Sequence, residues 1–182
     1  MTARAAIDAP GSIRPCRRDE HATIVSIINA AAESYRGAIP EDCWHEPYFA
    51  SSQLEAEIAA AVMFWGYEID GILIGVMGFQ ALADVDLIRH AYVLPTHQGR
   101  GVGTSLLVHL RRLTTRRMLV GTWADADWAI QFYQRHGFDL VSPGQKAALA
   151  RKYWTVPERQ MDVSVVLANP PFSPRDAALT QR

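Results

Sequence analysis

Cysteine is scarce in this chain: only Cys16 and Cys43 occur among its 182 residues. Two thiols cannot build the disulfide framework of a small secreted domain, and neither stands at a paired metal-ligand spacing, so no metal is expected. A reducing compartment is the simplest home, and the expected location is cytoplasmic. Charge of one sign is also lacking. A formal net charge of -1 leaves no basic surplus for neutralising phosphates, which argues against nucleic acid as the main partner. The local cluster Arg111, Arg112, Arg116 and Arg117 reads as a solvated helix face. No apolar run approaches the ~18 residues of a membrane span, and residues 1–12 lack the continuous apolar stretch of a signal peptide. No membrane partner is expected. Internal repeats and low-complexity blocks are missing too, which removes solenoids and linker-joined modules.

What is present suits a folded domain. Apolar residues make up 49% and charged residues 20%, close to ordinary globular usage. Residues 1–12 are small, polar and broken by Pro10 and Gly11, and 169–182 open with Asn-Pro-Pro, so both ends read as tails around one domain over 13–168. Ile13 to Arg17 reads as an edge strand. Asp19 then caps a helix through Ile24, Ile27, Ile28 and Ala31, and Ser52 with Glu55 opens a second that buries Leu54, Ile58 and Ala61. Val62 to Ile69 and Ile72 to Phe79 form a hairpin about Asp70-Gly71. Val85 to Leu94 is a third long strand, followed beyond Pro95 by a glycine-rich turn and a helix bearing Leu106, Leu107, Leu110 and Leu113. Met118 to Trp123 gives the next strand. Asp125 caps a helix through Trp128, Ile130, Phe132 and Tyr133 that stops at Gly137, and Phe138 to Val141 and Met161 to Leu167 complete the sheet. Arg151 to Trp154 is open between a loop and a short helix. The expected class is α+β, with helices on both faces of a mixed, mostly antiparallel sheet.

The turn Gln98-Gly99-Arg100-Gly101-Val102-Gly103-Thr104 carries the clearest chemistry. Glycines let main chain approach an anion closely, the first amides of a helix point outward without acceptors, and the helix dipole adds partial positive charge. Arg100 strengthens that field. A Walker loop requires lysine before the threonine, and Gly103 stands there instead. A dinucleotide fold requires a parallel unit, and the upstream hairpin is antiparallel. A tight strand-to-helix turn with no ligand is the plain alternative.

In Gln98, Gly101 and Gly103 the chain resembles the GNAT acetyltransferase superfamily, whose central signature is Gln/Arg-x-x-Gly-x-Gly/Ala after a strand. The segment from Ala129 to Phe138, with Phe132-Tyr133 and Gly137-Phe138, is similar to that family's second signature. The loop from Tyr35 to Tyr48 resembles the branch containing phosphinothricin-type acetyltransferases. The resemblance implies acetyl-CoA as co-substrate, held where two central strands splay. It implies main-chain pairing of the pantetheine arm with Tyr92 and Val93, and diphosphate on the amides from Gln98 to Thr104. It also implies Tyr133 near the thioester sulfur, where a phenol can protonate the leaving thiolate. Many members carry asparagine where this chain has Ala126, so a coenzyme contact there does not transfer.

Direct transfer needs a deprotonated amine aimed at the thioester carbonyl. Period two puts Asp86, Ile88, His90 and Tyr92 on one face of their strand and Leu87, Arg89, Ala91 and Val93 on the other, unless a bulge breaks the parity where the strands part. Some family members carry a glutamate base in this strand, and Leu87 stands nearest that position. His90 is then the base candidate, since imidazole exchanges protons near neutral pH, and a histidine bonded within the sheet is the alternative. The polar and aromatic loop after the first helix offers Tyr35, Arg36, Trp44, His45 and Glu46 as an acceptor wall or, alternatively, as a cap over the core. Arg36 suggests an acceptor carboxylate or phosphinate. The expected partner is a small-molecule primary amine, with an acyl-CoA-binding sensor as the alternative function; a homodimer is compatible with the chain.

Overall fold

The computed structural model describes residues 11–172. Seven strands form one sheet: β1 (Ser12–Pro15), β2 (Met63–Ile69), β3 (Ile72–Ala81), β4 (Asp86–Val93), β5 (Met118–Trp123), β6 (Asp139–Leu140) and β7 (Ser164–Asn169). Their order is β1-β2-β3-β4-β5-β7-β6, and every neighbouring pair is antiparallel except β4 with β5. Six helices accompany them: α1 (His21–Ala32), α2 (Ser51–Ala59), α3 (Val102–Arg112), α4 (Asp127–Arg135), α5 (Pro143–Tyr153) and α6 (Glu158–Asp162). None is long and apolar enough to cross a membrane among the described residues. The tails expected over 1–12 and 169–182 lie mostly outside those residues; within them, Ser12 opens β1 and Asn169 closes β7.

Alternation along the strands buries both sheet faces. Ile88, Met118 and Val120 join Leu106, Leu107 and Leu110 of α3. Their chain neighbours Leu87 and Leu119 pack instead with Leu149 of α5. Ile24, Ile27 and Ile28 of α1 meet Phe64, Leu73 and Val76. The β2–β3 hairpin turns at Asp70 and Gly71, whose φ values of 49° and 82° suit the two-residue turn that matches strand twist.

Several local expectations are corrected. Asp19 sits inside a 3-10 turn over 18–20, and α1 begins after Glu20, whose carboxylate serves Arg14 rather than the helix end. α2 starts at Ser51, not Ser52, and Gln53 Oε1 accepts from Ala50 N at 2.7 Å. Its stripe is narrower than spacing implied: Leu54 is buried, whereas Ile58 is exposed and Ala61 lies past the helix at φ 65°. Leu113 follows the end of α3 and is exposed. Asp125 does not cap α4; the capping position is Ala126, whose side chain has no exposed surface. Arg151 to Trp154 resolves into the end of α5, a helix whose Ser142 Oγ accepts from Gln145 N at 3.4 Å. Met161 and Asp162 belong to α6, so the last strand begins only at Ser164.

Three of the four clustered arginines are tied to the protein rather than simply solvated. Arg116 binds the fully buried carboxylate of Asp86 and the carbonyl of Leu82, Arg111 donates to His136 O at 2.9 Å, and Arg117 donates to Pro170 O at 2.9 Å.

Candidate active site

The site begins where β4 and β5 part. They pair only from Asp86–Met118 to Ile88–Val120, and no ladder pair follows. At the same point β4 bulges: Arg89 opposes Gly78 and Tyr92 opposes Val76, so His90 and Ala91 share Met77, and His90 takes φ 48°. An extra residue in one strand bends it and shifts side-chain parity. Ile88, Ala91 and Val93 therefore pack on the α3 side, while Tyr92 joins the α1 side. Tyr92 thus leaves the face it would share with Ile88 in a regular strand.

Beyond β4 the chain makes a 3-10 turn at Pro95–His97 and enters the glycine turn. Gly99 and Gly101 have φ 73° and 83°, a region that side-chain-bearing residues enter only at a cost. The first main-chain bond of α3 runs from Ser105 N to Gly101 O at 2.9 Å. The amides of Gly99, Gly101, Val102, Gly103 and Thr104 find no main-chain acceptor among the described residues. Nothing lies within 4 Å of the place a Cβ would occupy at Gly99 or Gly101, so the surface there is open. Gln98 Nε2 donates to Val93 O at 3.0 Å and ties the turn to the end of β4.

A cavity of about 620 Å³ runs along this turn. Tyr92, Val93, Gln98 and Gly99 line it, as do Gly101 through Thr104; Arg100 is exposed and stands outside the lining. α4 closes the other side with Trp128, Phe132 and Tyr133. A second cavity of about 450 Å³ opens between the bulge, α2 and the segment after α5. Tyr35, Ala91, Tyr92 and Tyr133 line both cavities and mark their junction.

Tyrosines dominate that junction. Tyr133 is 5% exposed, and burial, with Tyr35 nearby, pushes its phenol pKa well up. Burial likewise raises Tyr35 to about 12 and Tyr92 well above its ordinary value. Tyr92 Oη donates to Tyr48 Oη at 3.2 Å, which also accepts from Trp123 Nε1 at 3.3 Å. The phenols of Tyr35, Tyr92 and Tyr133 stay neutral across physiological pH.

The structure divides the expected acceptor residues. His90 and His45 line the second cavity, and Tyr35 lines both. Arg36, Trp44 and Glu46 line neither cavity and form a cluster in which Arg36 and Glu46 are exposed and Trp44 is half-buried. Arg36 donates to Glu33 Oε2 at 2.6 Å and Glu46 Oε2 at 3.0 Å and stacks 4.3 Å above Trp44, whose Nε1 donates to Glu46 at 3.0 Å. Glu57 was not foreseen. Its Oε1 lies 3.1 Å from His90 Nε2, outside in-line hydrogen-bond geometry, and accepts from Arg89 Nη2 at 2.7 Å. Nothing in the sequence separates Glu57 from the other acids of α2. Lys146 and Trp154 also enter from α5 and its C-terminal boundary; the Ser142-Pro143 start of that helix is the signal that places Lys146 on a helix. No group of three potential metal ligands occurs among the described residues.

Residues 60–140 match the acetyltransferase (GNAT) domain model. The fold is similar to that of the PaiA N-acetyltransferase from Thermoplasma acidophilum, solved with coenzyme A: TM-score 0.67, 16% identity, over 88% of this chain and 98% of that one. The ribosomal-protein-S18-alanine N-acetyltransferase from Escherichia coli is similar over 87% of this chain and 92% of its own, at TM-score 0.63 and 16% identity. A GNAT family acetyltransferase from Brucella melitensis, solved with acetyl-CoA, shares 23% identity over 71% of this chain and 83% of its own, at TM-score 0.53. No curated protein matches in sequence. Residues 60–140 thus carry a GNAT acetyltransferase domain match and the described residues have the GNAT fold, which together support an acetyl-CoA-dependent acyltransferase. Nothing in these matches singles out the phosphinothricin-type branch.

Proposed function

We propose that this acyltransferase moves the acetyl group of acetyl-CoA directly to a primary amine of a small molecule. The observation that carries the reading is the junction of two cavities at Tyr35, Ala91, Tyr92 and Tyr133, one bounded by the open amides of the glycine turn and the other by His90. Those amides suit the diphosphate, because each can donate without displacing a main-chain partner. The acetyl thioester then belongs at the junction and the amine in the second cavity.

In the transfer, His90 takes a proton from the ammonium, and the freed nitrogen attacks the thioester carbonyl. The N–C bond forms, the C–S bond breaks, and Tyr133 gives its proton to the departing thiolate. The excess proton of the new amide nitrogen passes through the cavity to the Tyr133 phenolate, and His90 gives its proton to water, so both groups are restored. Tyr133 suits the acid role because burial keeps it protonated. Cys16 and Cys43 are both free thiols, which suits a cytoplasmic home.

Calorimetry with acetyl-CoA tests the cofactor half. A Cβ at Gly103 makes only ordinary contacts, with Phe132 at 3.6 Å and Val93 at 3.9 Å, so Gly103→Asp is expected to fold while its charge repels the diphosphate and abolishes binding. Thiol release with an amine panel tests the transfer half. Binding without release for any amine favours the sensor reading instead.

A further inference from the structure

Glu57 stands in the wall of the second cavity with half of its carboxylate unused. Oε1 is engaged by Arg89 and neighbours His90, whereas Oε2 is buried and has no hydrogen-bond partner among the described residues. A buried carboxylate oxygen without a donor is costly, because it has given up water and gained nothing in exchange. Burial by itself favours the neutral acid, yet His90 and Arg89 outweigh it and hold the Glu57 carboxyl below its ordinary pKa. The oxygen is therefore charged at neutral pH. What it lacks is a donor, and a cationic N–H is the strongest kind.

The remaining walls narrow the chemistry. Two permanent cations line the cavity, and both are engaged. Arg89 is divided between Glu57 and Gln80 Oε1, the latter at 3.1 Å. Lys146 Nζ donates to the carbonyls of Met161, Asp162 and Ser164 at 2.7, 3.3 and 2.9 Å. Arg36, expected to take an acceptor carboxylate, lies outside the lining on Glu33 and Glu46. His45 sits at the exposed rim. An anionic acceptor group thus meets only cations already committed to protein acceptors, Arg89 to Glu57 and Gln80 and Lys146 to three carbonyls. The walls are aromatic instead, from Tyr48, Phe49, Tyr92, Trp123 and Trp154, and such faces attract both ammonium groups and apolar bodies.

Building on the N-acetyltransferase reading, the geometry points to an acceptor that is a primary amine with an aromatic or aliphatic body and no carboxylate or phosphate, its ammonium docked on Glu57 Oε2 beside His90. Glu57 is then the specificity-determining residue of the acceptor side. It holds and orients the ammonium while His90 receives the proton, and the nitrogen faces the junction at Ala91 and Tyr92. The reverse selection follows from the same charge, since a carboxylate on the acceptor is repelled by Glu57 and meets only cations already paired within the protein.

The experiment uses matched pairs that differ by one carboxylate: phenethylamine with phenylalanine, tyramine with tyrosine, and putrescine with ornithine. Binding to the full chain is followed by calorimetry with and without CoA, and acetylation by thiol release. The decarboxylated member of each pair is expected to bind at least about tenfold more tightly and to react with a kcat/KM about 100-fold higher. Glu57→Gln, nearly isosteric and checked for folding by circular dichroism, is expected to weaken amine binding at least about tenfold and to raise KM more than it lowers kcat. Its acetyl-CoA affinity stays unchanged, and Glu57→Asp recovers part of the loss. Equal or better binding of the carboxylated members overturns the assignment, as does intact amine affinity in Glu57→Gln or no amine binding at all. Failure of the wild-type chain to bind acetyl-CoA is a different result and sinks the transferase reading, because amine binding is read without CoA as well.

Discussion

The side chain of Gln98 donates to the carbonyl of Val93 at 3.0 Å, bridging the last residue of β4 and the turn that opens α3. The bond sets the turn against the strand edge left bare where β5 departs. Gln98→Ala is expected to loosen that placement and cost about 1 kcal/mol of coenzyme binding, roughly fivefold in Kd. Because Gln98 is exposed, folding stability should change by less than about 0.5 kcal/mol. Calorimetry and thermal unfolding separate the two effects, and an unchanged Kd removes the bridging role.

Tyr133→Phe keeps the ring and deletes the proton. Turnover is expected to fall by about 10²-fold or more with little change in KM for either substrate. Burial raises the phenol pKa, so the protonated form persists above the ordinary value of 10, and stability from this group is present below that value and lost as pH rises beyond it. A kcat profile between pH 6 and 9 should therefore show no loss of the acid form of Tyr133. Wild-type turnover in the phenylalanine variant would reassign the proton donor.

Asp86 has no exposed surface and relies on Arg116. Arg116→Ala strands a buried carboxylate and is expected to destabilise the fold by about 3–5 kcal/mol, measured by urea unfolding. The pair sits at the joined end of β4 and β5, away from the glycine turn, so acetyl-CoA affinity should stay within about twofold. A change under about 1 kcal/mol means that water or another group replaces the arginine.

Glu20 accepts from Arg14 at 2.7 and 2.9 Å and from Arg17 N at 2.6 Å. The Arg14 hydrogen bonds lower its pKa from the ordinary 4.5 to about 2, outweighing burial. A depressed folded pKa contributes stability above 4.5 that is lost as pH falls toward 2. Glu20→Gln should lower stability at pH 7 and flatten the acid limb in that window. Acid titrations that run parallel in the two proteins would refute this assignment.

Some of the architecture was legible because its cause is local. Asp70-Gly71 reads as a hairpin since few residues tolerate positive φ at both turn positions, and Gly99 and Gly101 carry the same message before α3. The start of α5 was also written locally, in Ser142, Pro143 and Gln145, yet its weakly patterned interior hid the helix. Asp19, Ser52 and Asp125 had the chemistry of helix caps without the position, because tertiary packing moved each helix start by one or more residues.

By itself the sequence determined the turn that leaves donors unpaired, the hairpin ahead of it and the helix that delivers Tyr133, all of which depend on backbone preferences within a few residues. Only the tertiary structure decided that β4 bulges at His90 and that Glu57, 33 positions earlier, comes within 3.1 Å of its ring. It alone placed Arg36 on its own acidic neighbours rather than in the acceptor cavity. Strand register and helix docking are set by the whole packed sheet, so no short stretch of residues encodes them.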